Sequence, residues 1–356
     1  MASGGVSAYA AISARVRAMY SSLLSPHDLI RLSDVPDMLN IVDQLKHTAY
    51  GSYLDNLKDR DLMPARVVLH LKGKLADAYH TTIYMAPEHT RPLLTQLYRY
   101  FEVENLKAVL RGITTNSSWD HVRDVLFPIG SITVLPLQAM VETGSVTAAV
   151  DLLNNTPYAD TLSFAMKRYA TEQNLFPLEV ALDLYYWRKL WKEAKQLQGS
   201  DRDHALRIVG SLLDMNNLMW AIRYRVYYQL SEEELINYTL PFGYRLRDED
   251  VRAIAAGVDI PSVVERIYPG LSDVAALLNE PRGGLPKLES QLKRYVMKQC
   301  MAAFVGNPFH IGVPLAFLIL SDLEIQDLTL LIEAKFSHAP DDEFRPFLLK
   351  TSFANT

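Results

Sequence analysis

The chain has 356 residues, 49% of them apolar, with a net charge of −5 and a pI near 6.0. An apolar share of that size can bury a large core, and the acidic balance speaks against a nucleic-acid surface, which calls for a basic excess. The single cysteine, Cys300, excludes an intrachain disulfide and a cysteine-built zinc or cluster site, as expected in a reducing, cytoplasmic compartment.

Taken in order, residues 9–25 read as a helix, with Tyr9, Ile12, Val16 and Met19 at helical spacing. The opening residues lack the charged and apolar regions of a secretory signal. A helix from about Pro36 to Lys46 follows and ends in Thr48-Ala49-Tyr50. After Met63-Pro64 a longer one puts Val68, Leu71, Leu75, Ala78 and Tyr79 on one face, up to Pro87. Pro92 suits the first position of the next helix, because its fixed φ is already helical and its missing N–H would be unpaired there. That helix runs to about Arg111, with Gly112 as its expected terminator.

The middle third repeats the order. Phe127-Pro128-Ile129-Gly130 opens it, a helix follows near 135–142, and a second ends in Thr156-Pro157-Tyr158. Two long helices are predicted over 177–197 and 202–226, the first with Leu184, Trp187, Trp191 and Ala194 on a core stripe. The last third opens on Leu240-Pro241-Phe242-Gly243, carries Ile267-Tyr268, and has long helices near 285–304 and 314–336. The most apolar run, Phe304–Leu320, is shorter than the about 20 apolar residues of a spanning helix and contains Asn307, Pro308, His310 and Pro314, so it reads as core. The tail beyond Lys335 reads as short and surface-bound. Hairpin turn signals are absent, so the fold class is all-α.

The strongest signal is repetition. Glu104-Asn105-Leu106-Lys107-Ala108-Val109-Leu110-Arg111 returns as Asn216–Arg223 and more faintly as Gln326–Glu333, about 110 residues apart each time. Tyr50, Tyr158 and Tyr268 precede Asn105, Asn217 and Asp327 at matched offsets. Three helical units follow, 1–123, 124–234 and 235–340, with a tail at 341–356. Asn105, Asn217 and Asp327 each interrupt an apolar face, since residues four apart share one side of a helix. A buried amide or carboxyl needs partners, as an unpaired one costs about 1–3 kcal/mol. Two readings compete: a ligand site of three equivalent positions, or a packing role in which each polar residue holds a neighbouring turn. The packing role is preferred, because Asn is a poor acid–base group. Arg111 and Arg223 share a place in the repeat that Glu333 takes in the third copy.

Signatures of chemistry are missing: no Walker loop, dinucleotide fingerprint, zinc-protease motif or nucleophile elbow. No catalytic, metal or cofactor residue is assigned, and no small-molecule substrate or nucleic acid is expected. Cys300 reads as a buried inert thiol, His310 as a structural hydrogen-bonding residue, and Gly283-Gly284 as a turn.

Tyr9–Leu24 (YAAISARVRAMYSSLL), Glu102–Gly112 (EVENLKAVLRG), the Pro-x-Gly and Thr-x-Tyr punctuation and Asn307–Leu318 (NPFHIGVPLAFL) together resemble one family over about residues 8–336. It is the C-subunit family of archaeal and bacterial V/A-type rotary ATPases, counterpart of the d subunit of vacuolar ATPases. The resemblance implies three helical units around a pseudo-threefold axis, shaped as a funnel with a central cavity. It further implies a non-catalytic, peripheral protein on the cytoplasmic face of the membrane, seated on the proteolipid ring. The cavity would receive the D and F subunits of the central stalk and pass on torque for ion transport coupled to ATP hydrolysis or synthesis. The alternatives from the residues alone are a helical-repeat scaffold for soluble partners and an all-α hydrolase, which the missing nucleophile–base pair disfavours.

Overall fold

The computed structural model describes residues 3–55, 57–58, 62–130, 135–276 and 284–354. The chain is all-helical, 74% helix, with no strand among the described residues. It opens with α1 (Ser3–Tyr20), α2 (Pro26–Asp34), α3 (Met38–Lys46) and α4 (Gly51–Leu54), followed by the long pair α5 (Pro64–Met85) and α6 (Arg91–Thr114). Short helices α7 (Trp119–Arg123), α8 (Leu137–Glu142), α9 (Val146–Asp151) and α10 (Ala159–Glu172) lead to a second long pair, α11 (Phe176–Gln196) and α12 (Gly199–Val226). The order returns with α13 (Glu232–Asn237), α14 (Asp248–Ala255), α15 (Ile260–Ile267) and α16 (Ser272–Ala276). A third long pair, α17 (Gly284–Ala302) and α18 (Gly312–Phe336), precedes the short α19 (Asp341–Phe344).

By contact the chain divides into two compact units, Met38–Leu190 and Met1–Asp37 with Trp191–Thr356. The repeat boundaries at 123, 234 and 340 are set by period and not by this division. In the 38–190 unit, α5 and α6 pack with Val68, Leu71, Leu75, Ala78 and Tyr79 buried. Aromatic rings fill the space beyond: Phe101 stacks on Phe127 at 3.8 Å, with Tyr79 and Tyr98 edge-on or tilted around them. Pairs of this kind add about 0.5–1.5 kcal/mol beyond the area they bury.

The other unit is built around α18, which packs with α1, α12 and α17. Every residue from Ile311 to Ser321 is buried, so this stretch is apolar all round because neighbours surround it. No helix among the described residues is long and apolar enough to cross a membrane. Tyr9, Ile12 and Val16 are the buried face of α1, as their spacing predicts. Cys300 is fully buried on α17, and burial pushes its thiol far up, so it is not a ready nucleophile.

Two expectations need correction. Gly112 does not end α6: the helix continues to Thr114, and Asn116 supplies the left-handed residue at φ 54. Gly112 is instead needed because a Cβ there would meet Val122 Cγ2 at 2.5 Å, so its missing side chain lets α7 approach. The tail is not surface-bound either. Phe344, Leu348 and Leu349 are buried, since α18 is long and apolar enough to need covering to its end. Of the Gly283-Gly284 turn, residue 283 lies outside the described residues and Gly284 opens α17.

Candidate functional site

Asn105, Asn217 and Asp327 sit on the long helices α6, α12 and α18 and are buried, at 2%, 0% and 1% exposure. Each reaches a connecting segment 22 or 23 residues further on. The Asn105 amide donates to Phe127 O at 2.8 Å and its Oδ1 accepts from Phe127 N at 2.7 Å. Asn217 repeats this on Leu240, donating to its carbonyl at 2.9 Å and accepting from its N–H at 3.0 Å. Asp327 accepts from Leu349 N at 2.7 Å and Lys350 N at 3.0 Å. Segments without regular structure cannot satisfy their own backbone groups when buried, and in every copy the polar side chain does so. Burial raises the Asp327 carboxyl to about 6, even with two N–H donors pulling it down.

One turn earlier on each helix stands a buried acid that the repeat pattern alone does not single out: Glu102, Asp214 and Glu324, at 1%, 0% and 0% exposure. The Tyr158 hydroxyl donates to Glu102 at 2.5 Å. Asp214 accepts from the N–H groups of Tyr244 at 2.8 Å and Arg245 at 2.6 Å, and burial lifts it to about 6. Glu324 accepts from Leu24 N at 2.8 Å and from the Lys350 ammonium at 2.6 Å. The signal is present in the sequence as an acid three residues before each Asn or Asp, a pattern that also reads as an exposed helix face.

The repeated tyrosines are buried. Tyr158 lies edge-on to Tyr185 at 5.6 Å, and Tyr268 to Tyr295 at 5.0 Å. Burial, and then the charges of Glu102 and Asp214 respectively, push both phenols well up. Tyr50 is 1% exposed, with the Lys74 ammonium 4.1 Å above its ring. Arg111 makes a two-pronged pair with Glu179 on α11, at 2.6 and 3.0 Å, and Arg223 pairs with Glu289 on α17 at 2.8 Å. Both arginines thus reach the first long helix of the following repeat. They are 58% and 42% exposed, so each pair contributes little stability. Glu333 is exposed and reverses the charge.

These groups can hold backbone and fix packing. Most of their oxygens accept from N–H, ammonium or O–H donors, while Glu102 Oε1 is buried without a partner. Among the described residues no group of three or more His, Cys, Asp or Glu could hold a metal ion. His310 Nδ1 accepts from Gly312 N at 3.0 Å, and burial lowers that imidazole to about 4. Leu184, Trp187 and Ala194 are buried, but Trp191 is only half-buried and lines an open cleft.

The sequence pattern of the ATP synthase (C/AC39) subunit family matches residues 12–347 of this chain. The C subunit of the A-type ATP synthase of Methanocaldococcus jannaschii is 25% identical over 345 residues, covering 96% of this chain and 86% of the relative. That of Methanobrevibacter smithii is 24% identical, covering 92% and 84%. That of Pyrococcus furiosus is 23% identical, covering 91% and 85%.

Proposed function

The chain belongs to the ATP synthase (C/AC39) subunit family, a structural rather than a catalytic part of the synthase, and from that premise we propose that it couples rotation between two other parts of the complex. In this reading it sits on the cytoplasmic face of the membrane, seated on the proteolipid ring, and receives the tip of the central stalk formed by the D and F subunits. It then passes torque between the ATP-handling head and the ion-carrying ring.

The observation that carries the reading is the recurrence of one buried arrangement in three copies: a long helix tied by an Asn or Asp to a segment 22 or 23 residues on. Three like units of this kind suit a pseudo-threefold funnel with a central socket. Helices of about 20 residues are about 30 Å long, which suits the wall of a socket for a stalk. Torque transmission needs stiffness, and close-packed helices whose connections are pinned by buried hydrogen bonds resist deformation. In this reading residues 105, 217 and 327 are packing positions, as are the buried Tyr50, Tyr158 and Tyr268 and the half-exposed Arg111 and Arg223.

The test is binding. The purified chain should co-purify with the detergent-solubilised proteolipid ring and form a complex with the D–F pair. A folded chain that binds neither is not the coupler.

A further inference from the structure

An open cleft of about 520 Å³ lies in the second compact unit, lined by Trp191, Asp203, His204, Leu206, Arg207, Gly243 and Tyr244. Gly243 of the Pro-x-Gly turn lines it, but none of the buried Asn, Asp and Tyr positions of the repeat does. Arg207 stands on α12, and its Nε is buried with no acceptor. Its Nη2 lies 3.3 Å from His204 Nδ1. That nitrogen can only accept from a guanidinium, so His204 carries its proton on Nε2 and is neutral.

The His204 ring lies flat on His310 at 3.6 Å and 2°. His310 in turn accepts the Gly312 N–H on Nδ1. Two stacked imidazoles are therefore held neutral beside the guanidinium, and burial lowers both of them. Among the described residues no carboxylate pairs with Arg207. Asp203 lines the cleft one turn back on the same helix, exposed and without an ion pair to it. A partly buried cation whose only partner is a neutral ring is incompletely satisfied.

The cleft lining is also aromatic. Trp191 is stacked on Phe242 at 5.6 Å and 9° and lines the cleft half-buried, and Tyr244 is 49% exposed. The wall is rigidly placed. Gly243 has no Cβ because one would collide with Asp214 Oδ1, and Gly210 lets the Tyr244 backbone approach α12. Asp214 itself accepts from the N–H groups of Tyr244 and Arg245.

We infer that this cleft binds a singly charged carboxylate joined to a flat apolar group, with Arg207 holding the carboxylate and Trp191 and Tyr244 the apolar part. A guanidinium presents a planar fork that matches a carboxylate in two parallel hydrogen bonds. One cation flanked by neutral imidazoles, with Asp203 on the same wall, matches a single negative charge and works against a phosphate dianion. The same chemistry is offered by a free aromatic acid and by an acidic residue next to an aromatic one in a neighbouring protein segment.

Calorimetric titration of the full-length chain decides it, with benzoate, benzamide, inorganic phosphate and the blocked dipeptide acetyl-Glu-Phe-amide as probes. Benzoate or the dipeptide should bind while benzamide does not, and Arg207→Gln should weaken that binding about tenfold or more. Binding of benzoate favours a free acid as the natural occupant; binding of the dipeptide alone favours a protein segment, and either result supports the site. Binding of neither, equal binding of benzamide, tighter binding of phosphate, or full retention in Arg207→Gln would overturn it. Should Arg207→Gln not fold, the contrast between benzoate and benzamide on the native chain still decides.

Discussion

At the scale of the residue, the choice between Asn and Asp at the repeated position follows from what it meets. Asn105 and Asn217 each face one N–H and one C=O of the same residue, so they need a donor and an acceptor, which an amide has. Asp327 faces two N–H groups and needs two acceptors, which a carboxylate has. The exchange should therefore fail in both directions. Asn105→Asp sets a carboxylate against the Phe127 carbonyl, and Asp327→Asn sets an NH2 against an N–H. Each should cost about 1–3 kcal/mol, as should Asn105→Leu, read from denaturant unfolding with the slope unchanged. Equal stability of Asn105→Asp and the native chain would show that the hydrogen bonds to Phe127 do not hold the turn. Sequence makes visible that a polar residue recurs on an apolar face. It cannot show the partner, because Phe127, Leu240 and Leu349 lie more than 20 residues away and nothing local marks their unpaired backbone groups. The buried acids Glu102, Asp214 and Glu324 escape for the same reason: an acid beside polar neighbours looks solvated until its distant donors are known.

At the scale of the element, the long helices are legible because each offers many apolar positions at a constant period, and Pro64 and Pro92 mark two of their first turns. Ends are less legible. A glycine near the end of a periodic run reads as a stop, yet Gly112 is a point of close approach for Val122, and Asn116 takes the left-handed turn. Gly243 teaches the same lesson in the Pro-x-Gly punctuation. Its backbone passes so close to the Asp214 carboxylate that a methyl group cannot be accommodated without moving the buried acid or the loop. Gly243→Ala should cost about 1–3 kcal/mol, in the range of an overpacked core. Gly144→Ala is the control for left-handed strain, since nothing lies near its Cβ position and only its φ of 61 opposes the change. Gly243 itself is not left-handed, so a Gly243→Ala chain as stable as the native one would show that the close approach carries no weight. The tail misleads because its few apolar residues, Phe344, Leu348 and Leu349, form no period, although Asp327 and the end of α18 require them.

At the scale of the whole molecule, the order of landmarks at one period is more informative than any motif. It joins the chain to its family, whose pattern spans residues 12–347, although the relatives described are only 23–25% identical. Low identity with full coverage is what a scaffold permits: many apolar residues can fill a helix face, provided volume and pattern are kept. Coupling, as proposed, resides in the shape and stiffness of the assembled units and in no single side chain. Removing the chain should then separate two activities that the complete synthase performs together.

The direct measurement is ATP-driven ion uptake into vesicles carrying the complex reconstituted with and without this chain, with hydrolysis followed in parallel. Without it, hydrolysis by the head should persist while uptake falls to background, and adding back the purified chain should restore uptake. Uptake that continues undiminished in its absence, at the same rate of hydrolysis, would contradict the coupling role.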